Sequence, residues 1–221
     1  MKFNWEYFFQ TLPEVASKLD VTLGLTLAAA FFSLLLGIVF ALIAYYKVPV
    51  LSQLLKVWSS FMRGTPAIAQ LFFFYYGLAN VSSVILQMSP LVAVAVIMSL
   101  HMSCFMGESI RAALISVDDG QRDAAKAFGM TGFQMTVRVV LPQAIRVALP
   151  PLFNDLISLF KLSSLAYLVG LRDVMGAAKI EANNTYQFFE CYACVIVVYW
   201  AISLVLMGIQ KILEKRCSEA Y

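Results

Sequence analysis

A chain of 221 residues that is 61% hydrophobic and only 13% charged lies far from a water-soluble domain, where about a quarter of the residues carry charge. At about 20 apolar residues per helical crossing, its length suits about five or six spans of a bilayer and no separate soluble domain. The formal net charge of +3 is accounted for by membrane topology, so nothing in it argues for a nucleic-acid partner.

Residues 1–20, MKFNWEYFFQTLPEVASKLD, carry acids at Glu6, Glu14 and Asp20 and lack a lysine-led apolar core followed by a small-residue cleavage site. They read as an extracytoplasmic interfacial amphipathic segment rather than a secretory signal. Residues 21–46 contain no charge and are long enough to cross with some tilt. A second span is expected from about Gly64 to Ile85, its start blurred by Lys56 and Arg63. A third runs from Pro90 to about Gly107. The fourth, about Val147 to Leu171, holds Asp155 and Lys161, and the fifth lies near Cys191 to Gln210. Together these predict one transmembrane domain over 21–215 and a short cytoplasmic tail over 216–221.

Basic residues orient the chain. Segments holding Lys47, Lys56 and Arg63, then Arg111 to Arg146, then Lys211 to Arg216 gather most of the Lys and Arg on one side, whereas the loop ANVSSVILQMS carries none. The positive-inside rule therefore places the N-terminus outside and the C-terminus in the cytoplasm.

Between the third and fourth spans lies a polar, helix-prone stretch. Asp118, Asp119 and Gly120 form a turn and a helix start, QRDAAKAF favours helix, and Gly129 is a C-terminal stop. TGFQMTVRVV then starts a second short helix reaching Pro142, whose ring lacks the N–H an interior turn requires. Two short helices joined by a glycine bend suit docking into a groove of another protein, and equally suit an ordinary cytoplasmic loop.

Other residues have plainer readings. Cys191 and Cys194 have redox spacing but sit at the start of an apolar span, where packing accounts for them. His101 is the sole histidine, so neither a metal site nor a serine-histidine site is expected. No glycine-rich phosphate loop is present, so any ATP is expected on another chain. Gly24, Gly37 and Gly77 are candidates for close helix contacts, or are scattered by chance.

At the polar stretch the sequence resembles the inner-membrane permease subunits of ATP-binding-cassette importers. Their pattern is Glu-Ala-Ala, three residues, Gly, nine residues, Ile, one residue, Leu-Pro; here stand Asp123-Ala124-Ala125, Gly129, Val139, Leu141 and Pro142. FMRGTPAIAQLFFFYYGL (Phe61 to Leu78), ESIRAALISVDDGQ (Glu108 to Gln121) and LPQAIRVALPPLFNDLISLFK (Leu141 to Lys161) look like the polar amino acid branch. The chain departs from it at Lys161-Leu162-Ser163-Ser164-Leu165, where the family has Lys-Asp-Thr-Ser-Leu, and at Cys104-Phe105, where it has Ala-Tyr.

The resemblance implies an all-α membrane protein of the type I importer permease fold, with about five transmembrane helices and a cytoplasmic coupling loop over about 115–142. It implies a subunit that is not an enzyme and binds no cofactor. ATP and Mg would sit on a partner ATPase subunit contacted through Asp123, Ala124, Ala125, Gly129, Leu141 and Pro142. It further implies an extracytoplasmic amino-acid-binding protein, a second permease copy or homologue, and a bacterial cytoplasmic membrane with its lipid. SVDDGQ and GMTGFQ resemble cystine-type permeases most, which favours a polar or sulfur-containing amino acid as substrate.

Ionisable residues inside spans are costly and normally face a protein-lined or watery path. Asn154, Ser158 and Lys161 share one face of the fourth helix, and His101 and Glu108 share a face of the third. These faces are expected to line the translocation pathway. The alternatives are a Glu108–Arg111 pair one turn apart and a Lys161 that snorkels to the surface. Rival functions are a membrane-embedded enzyme using Glu108 and His101, and an ATP-independent channel or scaffold.

Overall fold

The computed structural model describes residues 3–218, with side chains described for residues 3–216. The expected tail over 216–221 lies largely outside the described residues. Among those residues every regular element is helical, and the reasons can be followed along the chain.

Helix α1 (Trp5–Ala16) starts where the Asn4 side chain accepts the Tyr7 N–H at 3.1 Å, and it buries Phe8, Thr11 and Val15 at helical spacing. Its opposite face exposes Trp5 and Phe9. Helix α2 (Leu19–Tyr45) is the charge-free span and leaves Leu27, Phe31, Leu35 and Val39 exposed. In a bilayer such side chains meet lipid tails.

The second expected span is not one helix. Helix α3 (Leu51–Gly64) ends before Pro66, whose extended backbone (ψ 134°) caps the short α4 (Ala67–Phe72). A π turn over Phe73–Gly77, a 3-10 turn over Leu78–Asn80 and the four-residue α5 (Ser83–Leu86) follow. The interruption has a local cause: proline lacks an N–H and drives the residue before it out of the helical region. Helix α3 itself is two-faced, with Ser52, Lys56, Ser59 and Arg63 on one stripe and Leu54, Val57 and Phe61 exposed on the other.

Helix α6 (Pro90–Ile115) runs two turns beyond the expected end at Gly107, because the polar ESIRAALI stretch continues the helix. Then come α7 (Asp119–Ala127) and the short α8 (Gly132–Met135). The latter does not stop at Pro142 as the sequence led one to expect. It passes through a π turn over Thr136–Val140 directly into α9 (Leu141–Leu162). Widening to a π turn relieves the clash of the proline ring with the carbonyl four residues back, so the helix absorbs Pro142. A 3-10 stretch over Ser163–Val169 ends at Gly170, and α10 (Val174–Thr185) and α11 (Phe188–Ser218) complete the chain. Four helical stretches, Leu19–Tyr45, Pro90–Ile115, Gly132–Val169 and Phe188–Arg216, are long and apolar enough to cross a membrane.

The chain divides into two compact units, Met1–Phe31 with Thr65–Ser99 and Leu156–Gly208, and Phe32–Gly64 with Leu100–Asp155 and Ile209–Tyr221. In the first, Phe8 and Val15 of α1 pack on Val174, Ala178 and Ala182 of α10 and on Cys191, Cys194 and Val198 of α11. Both cysteines are free thiols buried in this core. In the second, Ala113, Leu114 and Val117 meet Val140, Ala144 and Ala148, with Tyr45 packed alongside. Small side chains dominate both cores, as expected where lipid supplies no hydrophobic force and helices associate by close van der Waals contact.

Gly37 of α2 and Gly107 of α6 give the tightest such approach. A Cβ on Gly37 would lie 3.0 Å from the Gly107 amide nitrogen, and one on Gly107 3.1 Å from the Gly37 carbonyl oxygen. Gly37 thus marks a real contact, whereas nothing lies within 4 Å of a Cβ on Gly24, and one on Gly77 would meet only its own Phe73. Gly37→Val is expected to cost about 1–3 kcal/mol through overpacking against backbone. Thermal unfolding in detergent should show the loss for Gly37→Val and not for the control Gly24→Val.

Asp173 caps α10, its Oδ1 accepting the Gly176 N–H at 2.8 Å, and is fully buried. Its Oδ2 has no hydrogen bond of acceptable geometry, although the Tyr199 hydroxyl is near enough to act on it. Burial pushes its carboxyl up to about 6, with the Gly176 and Met175 amides pulling the other way. The protonated form is therefore favoured in the folded state. The stability this contributes is full below the unfolded value near 3.8 and is lost as pH rises through about 6. Asp173→Asn keeps the cap and removes the charge. Wild-type protein should lose about 1 kcal/mol of stability between about pH 5 and pH 7.5, and the Asn variant should not, as read from melting temperatures at the two values.

Candidate functional site

The segment from Asp119 to Val140 is built by local chemistry. Asp118 Oδ1 accepts the Gly120 N–H at 2.7 Å and starts α7, with Asp119 in the first turn and Lys126 in the last, both favourable to the helix dipole. The helix ends in a left-handed turn at Gly129 (φ +75°): the Gly129 N–H donates to the Lys126 carbonyl and the Met130 N–H to the Ala125 carbonyl. This pair of bonds satisfies carbonyls that the helix end leaves open, and glycine adopts the conformation at no steric cost. Thr131 then begins α8 with a reciprocal capping box, its hydroxyl accepting from the Gln134 N–H while the Gln134 side chain accepts from the Thr131 N–H. The bend between the helices is thus fixed from both sides.

What this turn displays is apolar. Phe128 is 85% exposed and Phe133 is 78% exposed, one on each side of Gly129. Asp123, paired with Lys126 at 3.0 Å, and Ala124 are also exposed, whereas Ala125 is buried. Leu141 and Pro142 are exposed at the start of α9. Two bare phenylalanines on a rigid polar turn are the kind of aromatic anchor that a protein partner covers. Neither phenylalanine belongs to the residues that the sequence motif marks, and the one signal each carries is an aromatic ring close to a glycine stop in a polar segment.

The intramembrane polar residues are distributed as follows. Glu108 is clasped by Arg111, whose Nε donates to Oε2 at 2.9 Å and whose Nη2 reaches Oε1, so the pair one turn apart forms. The His101 ring lies tilted against that of Phe105, their centres 5.3 Å apart, and the Arg63 guanidinium lies 5.6 Å from the centre of the same Phe105 ring. Asn154 accepts from Gln210 at 3.2 Å, which is itself bonded to Glu214. These groups belong to the second compact unit; Ser158 and Lys161 belong to the first and are exposed there. Lys161 makes no ion pair among the described residues.

Two cavities open beside Glu108. One of about 950 Å³ is lined by the polar stripe of α3, Lys47, Glu108 and Arg111. The other, about 500 Å³, is lined by Arg63, Phe105, Glu108, Ser109 and Asp155. Ser109 donates to Asp155 at 2.9 Å, so the charge noticed in the sequence only as a blemish in the fourth span faces a cavity. Both cavities thus have ionisable side chains in their walls.

A family profile described as the binding-protein-dependent transport system inner membrane component matches residues 33–219. A probable amino-acid ABC transporter permease protein, PatM of Vibrio harveyi, is 38% identical over 100% of this chain and 99% of its own length. The L-cystine transport system permease protein TcyL of Bacillus subtilis is 34% identical over 93% of this chain and 87% of its own. A chain in the crystal structure of an amino acid ABC transporter with histidines superposes with a TM-score of 0.90 at 29% identity, covering 98% of this chain and all of that one. The chain therefore belongs to the inner-membrane components of binding-protein-dependent transport systems, as a permease subunit of an amino acid ABC importer and not an enzyme.

Proposed function

We propose that this permease moves a polar or sulfur-containing amino acid inward by alternating access, driven by a separate ATPase subunit that docks on the Gly129 turn. The carrying observation is the pre-organised turn with Phe128 and Phe133 bare on either side of it. ATP and Mg bind on that partner. A second copy or a homologue completes the pore, and an extracytoplasmic amino-acid-binding protein delivers substrate at the outer face, with the N-terminus outside and the C-terminus in the cytoplasm. Approach of the ATPase subunits pulls the docked turn and rocks the helices between two arrangements. An ATP-independent channel or a membrane enzyme would give a partner-shaped turn no purpose.

Cystine or a close relative is the favoured substrate. TcyL, named for L-cystine, is 34% identical, while permeases named for glutamine and arginine are 30% identical. Leu162 in place of the family's acid also removes a negative charge that a cationic substrate could use. Within the membrane, His101, Glu108, Asn154, Ser158 and Lys161 are assigned to the pathway, where the opposite charges of Glu108 and Lys161 could meet an amino acid's ammonium and carboxylate.

Two experiments test this. Affinity purification from native membrane through a tag on this chain should recover an ABC ATPase with an amino-acid-binding protein. Phe128→Ala with Phe133→Ala should reduce ATPase recovery by about tenfold or more, as for loss of paired aromatic hot spots, and Gly129→Leu should abolish uptake while the protein stays in the membrane. Full recovery and normal uptake in those variants would remove the turn as docking site. For the pathway, Glu108→Gln with Lys161→Met should lower cystine uptake in proteoliposomes. Wild-type uptake and wild-type substrate-stimulated ATP hydrolysis in the double variant would end that assignment.

A further inference from the structure

Arg122 is unlike the other charged residues of α7. Lys126 pairs with Asp123 in the open, both side chains well over half exposed, as an ordinary surface pair does. Arg122 makes a pair of the same spacing with Asp119 at 2.8 Å, yet its side chain is only 18% exposed. Its Nη2 donates to the Leu114 carbonyl at 2.7 Å, in the last turn of α6, where carbonyls lack intrahelical partners and the helix dipole is negative. Its guanidinium carbon lies 5.8 Å from the ring centre of Tyr45, the last residue of α2. Nε is buried with no partner, a cost accepted in exchange for placing the fork. One side chain of the docking segment thus joins the ends of α6 and α2.

Helix α2 matters here because no backbone leads to it. The segment runs on directly from α6 and into α9, so any pull on the turn reaches those helices along the chain. α2 ends more than 70 residues earlier and meets the segment through side chains alone: Tyr45 under Arg122 and on the Ala113, Leu114 and Val117 cluster, and the Tyr46 hydroxyl 3.4 Å from Thr136 Oγ1. Of these, Arg122 is the charged, directional link.

We propose that Arg122 is a positioning residue that transmits movement of the ATPase-docked turn to α2 and α6, and so sets the coupling between ATP hydrolysis and transport. The inference rests on the docking role of the turn given above. Arg122 is not one of the bare side chains of the turn: it is mostly covered and reaches toward the ends of α6 and α2. Its planar fork is what the geometry uses, Nη1 for Asp119 and Nη2 for the Leu114 carbonyl; a lysine keeps the charge but gathers its donors on one nitrogen and loses the flat face laid toward the ring.

The test uses the whole complex with its ATPase in proteoliposomes, comparing wild type, Arg122→Gln, Arg122→Lys and Tyr45→Leu. Arg122→Gln is expected to co-purify the ATPase at wild-type yield with unchanged basal ATP hydrolysis. Stimulation by loaded binding protein, and uptake with it, should fall about fivefold or more, the size of a lost coupling interaction. Arg122→Lys should recover only part of the loss, and Tyr45→Leu should reproduce part of it without touching the docking face. Stimulation and uptake within about twofold of wild type in Arg122→Gln would overturn the proposal. So would a parallel loss of basal hydrolysis and recovery, which marks a residue that merely holds the docking turn. If Arg122→Gln does not accumulate, Tyr45→Leu decides in the same two ways. A wild-type complex that recovers no ATPase would instead strike the docking reading itself, before any variant is made.

Discussion

In hydrocarbon an amide without a partner finds no water, so a chain crossing a bilayer must close its backbone hydrogen bonds within itself wherever it is exposed to lipid. The architecture follows from how this chain meets that demand and where it relaxes it. Helices α2, α6, α9 and α11 are long and uninterrupted or merely widened by π turns, and they carry the exposed apolar surface. Between α3 and α4 the helix is broken at Thr65 and Pro66, where the extended backbone of Pro66 caps α4.

Lipid also removes the usual reason for helices to adhere, and the chain answers with small residues. Gly37 against Gly107, and alanine, cysteine or valine at all but two of the buried positions of the two cores, let backbones approach until dispersion contacts suffice. Polar links then add direction. The Asn4 N–H donates to Glu190 at 2.8 Å, and the Tyr7 hydroxyl to Glu181 at 2.6 Å, fastening α1 to α10 and α11. Burial and the Glu181 carboxylate push the Tyr7 phenol up to about 12, so it stays protonated as a donor.

Much of this could be read from the residues alone. Charge-free length announced α2, the Asp118 cap and the Gly129 stop bounded α7, and the spacing from Asp123 to Pro142 led to the family. Boundaries set by competition between local signals were less legible. Proline at 66 and proline at 142 look alike in a string of letters, yet one breaks its helix and the other is absorbed, because the preceding turn in the second case could widen. Side-chain pairing was harder still. The Glu108–Arg111 clasp was visible as a spacing, but whether it or a solute takes the carboxylate depends on rotamers. Arg122 gave no sign at all, since its partners Leu114 and Tyr45 are an unremarked carbonyl and a distant ring.

The π turn over Thr136–Val140 amounts to one residue more than an α-helix needs over the same rise. Each residue turns a helix by roughly 100°, so this insertion sets the phase between the two ends of the Gly132–Val169 stretch. The face that bares Phe133 and the face that buries Ala144 and Ala148 are therefore held in register by this one turn. Val140, in the π turn itself, is buried in the same cluster as Ala144 and Ala148, so gaining or losing one residue there would swing Phe133 around the axis and disturb that core in one step.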